Sequence, residues 1–428
     1  MKAVIIAAGK GKRLMPITSS RPKPMIPLAG KPLLEHTILG LKAAGITEIL
    51  LIVGYKNEII KDYFGDGKDN FDLKIDYITQ EEQLGTAHAF GLAKKFVDDK
   101  SLLMYGDLLV EPKVYQEIVQ KFNENKVEGI ILLRGVTNPE EFGIISLNPS
   151  GFVEKIVEKP TPEMNLGNLA NAGVFIFEPS IFQAIEKTEK SIRGEYEFTD
   201  SMEILINQFK GKIAGYTIKD YFWSDIGLPW QFLDANSELL GQIGKKIVGN
   251  VEENVQVSGN VYIGEGTNVR SGSYIQGPCY IGNNNIIGPN SFIRPYTFIA
   301  NDCHISTSEI KNSIILSNTA IPHFNYIGDS IICENVNLGA GTKVENLRFD
   351  EESVKVSIKG QLIDSRRKKL GTIIGPNVKT GINVSIMTGK IIGNNSRIGA
   401  HTIVSEDIPP NTFYYHDPNK GIIKKSLL

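Results

Sequence analysis

Short apolar runs alternate with amphipathic stretches through the first half of the chain. The predicted strands are 3–8, 48–55, 74–79 and 101–107, and the predicted helices are 33–45, 58–64 and 86–96. Repeated β–α alternation is typical of a mostly parallel sheet wrapped by helices. Ligands bind such sheets beyond the carboxyl ends of the strands. We therefore expect an α/β domain with a mostly parallel sheet over residues 1–230.

The hydrophobic pattern changes to a period of six in the second half. Aliphatic residues recur at every sixth position at Val251, Val257, Ile263, Val269, Ile275, Ile281, Ile287, Ile293, Ile299 and Ile305. The phase slips after Ile305 and returns from Ile374. Hexapeptide repeats predict a parallel β-helix, in which one aliphatic side chain per face points inward and Gly or Asn turns each corner. We expect a linker helix within 231–245, the β-helix over 246–410 and a tail over 411–428.

The totals are consistent with two globular domains. A chain of 428 residues, 41% of them hydrophobic, can build two ordinary cores. A formal charge of −2 provides no overall basic field, so we expect neither nucleic acid nor an anionic membrane as a partner. The first apolar run breaks at Gly9 and no run approaches the ~18 residues of a membrane span. These features favour a cytoplasmic protein without a targeting segment.

Three cysteines, Cys279, Cys303 and Cys333, lie far apart in the sequence. No spacing among them suggests a zinc site, and their odd number argues against a disulfide framework. Cys279 and Cys303 each precede a periodic aliphatic residue by two positions, so both should point into the β-helix. We expect packed, unreactive thiols.

A glycine-rich basic turn follows the first predicted strand. Gly9 and Gly11 are two residues apart, Arg13 follows, and Lys23 comes later between two prolines. Small residues let backbone N–H groups converge on an anion, and cationic side chains neutralise it. The pattern predicts a phosphate-binding loop, although it has the spacing of neither the Walker loop nor the dinucleotide fingerprint. A tight turn with solvated lysines is the alternative for the glycine pair alone.

The stretch GKGKRLMPIT…RPKPMIPLAGKP resembles the signature of the sugar-1-phosphate nucleotidylyltransferases. Members of that family transfer a nucleoside monophosphate from an NTP to a sugar 1-phosphate and release pyrophosphate. The resemblance implies a Rossmann-like nucleotidyltransferase domain. It also implies that Arg13 and the amides of Gly9 and Gly11 bind the β- and γ-phosphates, and that Lys23 binds the α-phosphate.

A second polar motif, Gln80-Glu-Glu-Gln83-Leu-Gly85-Thr86, follows the predicted strand 74–79. Two glutamines offer donors and acceptors to a base edge, and Gly85 permits close backbone approach. The alternative is a polar loop that caps the next helix, with Thr86 as the N-cap. In the resembled family, a QxxQLGT pattern binds uracil or thymine, which implies UTP or dTTP as the nucleotide.

Two aspartates are candidate metal ligands. Asp107 ends the predicted strand 101–107, beside the phosphate loop. Mg²⁺ prefers one or two carboxylates together with phosphate oxygens and water. Asp225 lies in YFWSDIGLPW, which resembles the family's W-x-D-x-G segment, whose Asp completes the metal pair. A turn-capping role is the alternative for Asp107 alone.

Four further segments match the family in order: 140–147, 156–160, 171–177 and 194–200. The resemblance implies that Gly143, Glu158 and Asn171 contact sugar hydroxyls and that Lys159 contacts the sugar phosphate. A hairpin with a charged face is the alternative for the second segment. The acidic residues of the last segment are also consistent with a helix start.

Polar motifs interrupt the six-residue pattern between positions 294 and 346. RPYT, EIKN, HFNYIGD and ENVNLGAGTKVEN resemble the acetyltransferase half of the bacterial bifunctional UDP-N-acetylglucosamine pyrophosphorylase/glucosamine-1-phosphate acetyltransferase. The resemblance implies a left-handed β-helix, acetyl-CoA as co-substrate, and a homotrimer with acetyl sites between subunits. The implied residues are His323 as the catalytic base, Arg294, Lys311 and Tyr326 on the sugar phosphate, Asn337 and Asn346 in the sugar site, and Gly399 and Ala400 on acetyl-CoA.

The chain departs from the bacterial pattern after Asn346. Leu347 stands where a tyrosine is expected, and the loop 348–371 is longer and differs in sequence. The basic run 366–369 suits either the phosphates of coenzyme A or a neighbour's sugar phosphate, and a solvated basic turn is the alternative. In this respect the chain is closer to the archaeal bifunctional relatives.

The residues and resemblances together favour a bifunctional enzyme of UDP-N-acetylglucosamine biosynthesis. The second domain would acetylate glucosamine 1-phosphate, and the first would couple the product to UTP, or dTTP to glucose 1-phosphate. One alternative is a monofunctional nucleotidylyltransferase with a non-catalytic β-helix. Another is a non-catalytic subunit like those of the translation-initiation exchange factor. The retained Arg13, Lys23, Asp107, Lys159 and Asp225 speak against that last alternative.

Overall fold

The computed structural model describes residues 1–164 and 166–427. The chain divides into two compact units. The first unit comprises Met1–Lys10, Pro22–Met25 and Leu33–Asp225. The second comprises Gly11–Arg21, Ile26–Pro32 and the chain from Ile226 onward. Position 428, the last of the predicted tail, lies outside the described residues.

The described residues between Lys2 and Ser224 form thirteen strands. They are β1 (Lys2–Ala7), β2 (Pro27–Leu28), β3 (Lys31–Pro32), β4 (Glu48–Val53), β5 (Lys74–Thr79), β6 (Ser101–Tyr105), β7 (Leu109–Val110), β8 (Gly129–Gly135), β9 (Gly143–Leu147), β10 (Val153–Glu158), β11 (Leu169–Phe177), β12 (Ile213–Ile218) and β13 (Trp223–Ser224). Nine of them form the main sheet of the first unit, in the order β10-β9-β11-β6-β1-β4-β5, with β8 beside β11 and β12 beside β8. The strands β6, β1, β4 and β5 are parallel, whereas β11 runs antiparallel to β6. The expected parallel sheet is therefore present on one side, and antiparallel pairs extend it on the other.

The helices are α1 (Leu33–Ala43), α2 (Asn57–Phe64), α3 (Lys68–Phe71), α4 (Thr86–Gly91), α5 (Pro112–Glu124), α6 (Ile181–Glu186), α7 (Phe198–Asn207) and α8 (Pro229–Gly241). Short 3-10 turns occupy Lys12–Leu14, Ile17–Ser19, Lys23–Met25, Leu92–Lys95, Pro139–Glu141 and Pro162–Met164. Alternate residues of the parallel strands enter different hydrophobic clusters: Ile5 and Leu51 belong to one, Val4 and Leu50 to the other. Side chains of a strand point alternately to the two faces, so both faces of this sheet are buried. No helix in the described ranges is both long and apolar enough to cross a membrane.

The second unit contains a parallel β-helix with three faces. Face 1 consists of Lys246–Ile247, Val261–Ile263, Cys279–Ile281, Thr297–Ile299, Ile314–Ile315, Ile331–Ile332, Ile373–Ile374 and Ile391–Ile392. Face 2 consists of Asn250–Val251, Asn268–Val269, Ile286–Ile287, His304–Ile305 and Ala320–Ile321, and continues with Lys379–Thr380, Arg397–Ile398 and the tail hairpin Thr412–Asp417 and Gly421–Ser426. Face 3 consists of Gln256–Ser258, Tyr274–Gln276, Phe292–Ile293, Glu309–Lys311, Tyr326–Gly328, Lys343–Val344, Ser385–Ile386 and Ile403–Val404. The periodic aliphatic residues from Ile263 to Ile305 are fully buried, as the six-residue pattern predicted.

The phase slip after Ile305 comes from shortened sides of the β-helix. Ile305, Ile310 and Ile315 are buried at five-residue intervals, and the six-residue interval then resumes at Ile321. Strand Ile331–Ile332 pairs directly with Ile373–Ile374, so the chain between them includes an excursion from the coil. This excursion forms the hairpin Lys355–Ile358 with Gln361–Asp364, where a loop was expected. Faces 1 and 3 therefore keep continuous ladders on either side of the inserted element.

The three cysteines lie in the β-helix core. Cys279, Cys303 and Cys333 are free thiols and at most 2% exposed. Burial raises the pKa of Cys279 and Cys303 to about 12 and also raises that of Cys333. The thiolate is the reactive form of cysteine, so these side chains combine poor access with a very small reactive fraction. The expectation of packed cysteines is confirmed.

We expect the native protein to show no reactive thiol toward a colorimetric disulfide reagent at pH 8. Unfolding in guanidinium chloride should expose all three cysteines. The measurement is the absorbance change on mixing, with and without denaturant. Rapid labelling of the native protein would contradict the burial described here.

Candidate active sites

The first candidate site is built on the carboxyl ends of neighbouring parallel strands. Gly9 follows β1, Gln80 follows β5 and Asp107 follows β6. The chains come very close at this edge, because a side chain on Gly106 would place its Cβ 2.7 Å from the carbonyl oxygen of Ile6. Gly9 differs, since a Cβ there would meet nothing within 4 Å. Because Gly9 has no side chain, the space beyond the strand ends stays open. Ligands bind at this place in such sheets.

A small antiparallel ladder brings the two candidate metal ligands together. Strand β13 pairs with β7, with Trp223 opposite Val110 and Ser224 opposite Leu109. Asp225 continues β13 and Asp107 precedes β7, so this register places them at the same end of the ladder. Trp223 also donates its indole N–H to the carbonyl oxygen of Ala172 at 2.9 Å, which fixes β13 against β11. Trp223, in the apolar segment before Asp225, therefore stabilises the position of β13.

Lys23 lies between the two aspartates. Its ammonium donates to Oδ2 of Asp107 at 2.7 Å and to the backbone oxygen of Asp225 at 3.1 Å. The Lys23 side chain is 9% exposed and that of Asp107 is 40% exposed. A lysine ammonium has three N–H donors, and these contacts use two of them. The arrangement can therefore present the third donor to an anion.

The donor set fits a magnesium ion that shares its coordination with a substrate. Within the described ranges, no three His, Cys, Asp or Glu side chains are grouped so that they could hold a metal by themselves. Mg²⁺ commonly takes one or two carboxylates and completes its shell with phosphate oxygens and water. Asp107 and Asp225 provide that number of carboxylates at one end of the β7–β13 ladder.

The QxxQLGT motif forms a rigid loop after β5. Gln80 is buried and its amide donates to the oxygen of Gly85 at 3.3 Å and lies 3.1 Å from Nδ1 of His88. Gln83 donates to the oxygen of Ala8, the residue that follows β1, at 2.7 Å. Gly85 adopts a φ of +118°, and a Cβ there would lie 2.4 Å from the oxygen of Tyr196. Gly85 is therefore required by packing as well as by its conformation.

Thr86 caps a helix other than its own. Its hydroxyl accepts the backbone N–H of Phe198 at 3.0 Å, at the start of α7, while Gly85 occupies the N-cap of α4. The alternative in which Thr86 is the N-cap of the next helix is therefore wrong. The segment 194–200 packs directly on this loop, because the backbone N–H of Ala87 donates to the oxygen of Tyr196 at 2.9 Å.

The predicted sugar residues lie on the antiparallel part of the sheet. Gly143 faces Glu158 across the β9–β10 ladder, and a Cβ on Gly143 would lie 2.7 Å from a Glu158 carboxylate oxygen. Burial raises the pKa of Glu158, although the nearby Arg193 guanidinium opposes the rise. Lys159 adopts a left-handed φ of +50° directly after β10. Asn171 accepts the backbone N–H of Gly173 at 2.8 Å.

Arg193 is a site residue that the sequence reasoning missed. Its guanidinium pairs with Glu197 at 2.8 Å and lies 3.6 Å from Glu158. It therefore joins the segment 194–200 to a predicted sugar residue and carries a positive charge to this part of the sheet. The available signal was its position immediately before the GEYEFTD match.

Two residues of the predicted phosphate-binding loop belong to the second unit. Gly11 has a left-handed φ of +59° and its oxygen accepts the hydroxyl of Thr18 at 3.0 Å. The Arg13 guanidinium is exposed and lies against Gly227, where a Cβ would be 3.2 Å from Nη2. The glycine of the W-x-D-x-G segment therefore makes room for Arg13. The sequence indicated Arg13 and the W-x-D-x-G segment, but it did not indicate the contact between Arg13 and Gly227.

The second candidate site lies on face 3 of the β-helix. Arg294 pairs with Glu309 at 2.7 Å, and Glu309 is in register with Tyr326 on the next coil. The hydroxyl of Tyr326 and the amide of Asn346 converge on Gly328, where a Cβ would lie 2.9 Å and 2.5 Å from them. Lys311 is in register with Gly328 in the same ladder. The structure thus brings together Arg294, Lys311, Tyr326 and Asn346, which we call the face-3 cluster.

His323 and Asn337 lie outside the face-3 strands. His323 is exposed on the turn before Tyr326, with a left-handed φ of +65°, and its oxygen accepts the N–H of Gly341 at 2.9 Å. Asn337 is exposed on face 2, between Ala320 and Lys379. Within one chain the six implied residues therefore lie in three places: the face-3 cluster, the turn that holds His323, and face 2.

The implied acetyl-CoA residues lie where the last coil meets the tail. Gly399 donates to the oxygen of Tyr414 at 2.8 Å, and a Cβ on it would lie 2.5 Å from that of Tyr415. Ala400 is exposed on the adjoining turn. In the basic run 366–369, Arg367 forms an ion pair with Asp234 of α8. A solvated basic turn therefore does not describe this residue.

Two family models match the chain. One, described as Nucleotidyl transferase, covers residues 2–242, and one described as GMPPB C-terminal domain covers residues 275–369. Among solved structures, a putative glucose-1-phosphate thymidylyltransferase from Bacillus anthracis is 28% identical, with a TM-score of 0.51 over 57% of this chain and 97% of that chain. A UDP-glucose pyrophosphorylase that is 23% identical, with a TM-score of 0.52, shows the same fold over 56% of this chain and 98% of that chain.

Longer matches cover both units. A protein from Methanococcus maripaludis strain C7 named "Bifunctional protein GlmU" is 49% identical over 99% of this chain and 100% of its own length. A protein of the same name from Methanocaldococcus jannaschii is 45% identical over 97% of each chain. A "Bifunctional sugar-1-phosphate nucleotidylyltransferase/acetyltransferase" from Sulfurisphaera tokodaii is 41% identical over 97% of this chain and 100% of its own. The chain therefore belongs to the nucleotidyl transferase family and, within it, to the archaeal bifunctional sugar-1-phosphate nucleotidylyltransferase/acetyltransferases.

Proposed function

We propose that the chain acetylates glucosamine 1-phosphate with acetyl-CoA and then transfers UMP from UTP to the product. The second reaction gives UDP-N-acetylglucosamine and pyrophosphate, and dTTP with glucose 1-phosphate is a second substrate pair. The observation that carries the proposal is that the relatives named as bifunctional match nearly the whole chain, so both units have a counterpart in them. Since nucleotides and acetyl-CoA are cytoplasmic metabolites, we place the enzyme in the cytoplasm.

Nucleotidyl transfer requires positioning more than acid–base chemistry. An oxygen of the sugar phosphate attacks the α-phosphorus of the NTP, and pyrophosphate leaves in line with it. The nucleophile is already ionised, so the site must hold two mutually repelling polyanions and stabilise the charge on the transferring group. Lys23 would direct its third N–H donor to the α-phosphate, and Arg13 with the loop amides would bind the β- and γ-phosphates. Lys159 would bind the sugar phosphate.

Asp107 and Asp225 are the residues that would hold Mg²⁺. When bound there, the ion would neutralise phosphate charge and make the pyrophosphate a better leaving group. The amides of Gln80 and Gln83 would recognise the pyrimidine, with Gly85 and Thr86 shaping the loop. Gly143, Glu158 and Asn171 would bind the sugar hydroxyls.

Acetyl transfer requires an unprotonated amine. His323 would remove a proton from the amino group of glucosamine 1-phosphate as the nitrogen attacks the thioester carbonyl carbon. The new C–N bond replaces the C–S bond, and coenzyme A leaves as a thiolate that takes up a proton. The face-3 cluster and Asn337 would bind the sugar phosphate, and Gly399 and Ala400 would lie against the coenzyme.

We propose a homotrimer assembled through the β-helix. The support is that the implied acetyltransferase residues of one chain are spread over face 2, the turn that holds His323 and the face-3 cluster. A rotational assembly would allow groups from adjacent subunits to complete each site.

Replacing Lys23 with Ala should lower the kcat of pyrophosphate release by about 10²–10³-fold or more, because a transition-state donor is lost. The measurement is pyrophosphate release from UTP and N-acetylglucosamine 1-phosphate. Lys94→Ala is the matched control, since Lys94 is an exposed lysine that pairs with Glu186 away from the strand ends. An unchanged rate in the Lys23 variant would remove it from the mechanism.

Chelation should separate the two reactions. Adding EDTA in excess should abolish pyrophosphate release, which excess Mg²⁺ should restore, because the ion is assigned only to the Asp107–Asp225 site. Release of free thiol from acetyl-CoA should continue unchanged in the same samples. Pyrophosphate release that persists in EDTA would contradict the metal assignment.

Replacing His323 with Asn should lower the kcat of thiol release by about 10²–10⁴-fold, the usual contribution of a general base. Pyrophosphate release from N-acetylglucosamine 1-phosphate should stay at the wild-type rate. His416→Asn serves as the control, because His416 is an exposed histidine in the tail hairpin. Equal thiol release by both variants would remove His323 from the mechanism, whereas the absence of thiol release from the wild-type protein would favour a monofunctional enzyme with a non-catalytic β-helix.

A further inference from the structure

A buried carboxylate lies beside the face-3 cluster. Asp329 follows the strand Tyr326–Gly328 and is 3% exposed. Its Oδ2 accepts the amide of Asn346 at 2.5 Å, and its Oδ1 accepts the amide of Asn312 at 2.7 Å. The ammonium of Lys311 lies 3.4 Å from Oδ2. Asp329 thus contacts two members of the cluster directly.

The segment that follows the inserted hairpin provides a second cation. Nη2 of Arg367 lies 3.9 Å from Oδ1 of Asp329, and the same guanidinium pairs with Asp234. The backbone of Asp329 is also fixed, since its N–H donates to Lys311 and its oxygen accepts Gly371, both at 2.9 Å. Its φ of +51° is left-handed, which few residues other than Gly, Asn and Asp adopt readily. Side-chain and backbone contacts together therefore fix the position of the Asp329 carboxylate.

The contacts of Asp329 determine the orientation of the polar groups that the face-3 cluster presents to a ligand. An ionised carboxylate can only accept hydrogen bonds, so the Asn346 amide must turn its nitrogen toward Asp329 and its oxygen away. A buried carboxylate is tolerated only when it is paired, and the pairing holds the Lys311 ammonium as firmly as it holds the acid. The cluster therefore presents a fixed cation and a fixed amide.

We propose that Asp329 is a positioning residue for acetyl transfer, because it orients Lys311 and Asn346 to bind the amino-sugar phosphate. The proposal rests on the proposed acetyltransferase function. Asp329 itself makes no contact with the substrate. Its effect should appear in the affinity for the sugar phosphate and not in that for acetyl-CoA.

The direct test is Asp329→Asn, which keeps the side-chain volume and the left-handed backbone but removes the charge. We expect the KM for glucosamine 1-phosphate to rise about tenfold or more, as befits the loss of charge-assisted hydrogen bonds. The KM for acetyl-CoA and the rate of pyrophosphate release should stay within twofold of wild type. Asp407→Asn is the control, since this half-buried carboxylate accepts the N–H of Ile391 at 2.8 Å on another coil.

A second set of variants tests the proposal without altering Asp329. Lys311→Ala, Asn346→Ala and the double variant are compared by the KM for glucosamine 1-phosphate. Residues held by one carboxylate act as a unit, so the increase in the double variant should fall clearly below the product of the single increases. Multiplicative increases would overturn the proposal even if Asp329→Asn did not fold.

The outcomes distinguish this proposal from the function on which it rests. If the wild-type protein releases no thiol from acetyl-CoA with any amino-sugar phosphate, the acetyltransferase assignment fails. If wild type is active and Asp329→Asn has an unchanged KM, only the positioning role fails. If Asp329→Asn loses both reactions in parallel, Asp329 serves stability alone and the positioning role is likewise overturned.

Discussion

The ammonium of Lys23 is the contact on which the first site depends. It joins the carboxylate of Asp107 to the backbone oxygen of Asp225, residues 84 and 202 positions away in the chain. A lysine as buried as this one requires a partner, because desolvation of an unpaired charge is costly. The same contact sets the distance between the cation that would bind phosphate and the carboxylates that would bind metal. The pairing that stabilises the buried Lys23 is therefore also the arrangement that the proposed chemistry requires.

The β-helix imposes a different constraint. Its inward aliphatic side chains and parallel ladders leave each outward residue at a fixed register relative to the coils above and below. Glu309, Tyr326 and Lys343 follow one another across face 3 for this reason. A rigid scaffold of this kind can align polar groups that are about seventeen residues apart in sequence, and it tolerates the hairpin insertion because the ladder closes around it.

Several glycines of the motifs are explained by close packing and not by flexibility. Gly85 accommodates the backbone of Tyr196, Gly227 accommodates the guanidinium of Arg13, and Gly328 lies under Tyr326 and Asn346. In each case a Cβ would approach a functional segment to 3.2 Å or less. Substitution at these positions would displace a site residue, which explains why glycine belongs to the motif.

The sequence by itself determined the two architectures and most of the candidate residues. The alternation of apolar runs located β1, β4, β5 and β6, and the six-residue period located the β-helix, because both patterns are local and reflect which side chains are buried. The motifs at strand ends then indicated Lys23, Asp107 and Asp225. Only the tertiary structure decided which distant segments meet. The pairing of β13 with β7, the contact of Arg193 with Glu158, and the convergence of Lys311, Asn346 and Arg367 on Asp329 join residues with no common period. Such contacts depend on which distant segments of the chain pack together in the folded protein. A local sequence pattern does not contain that information.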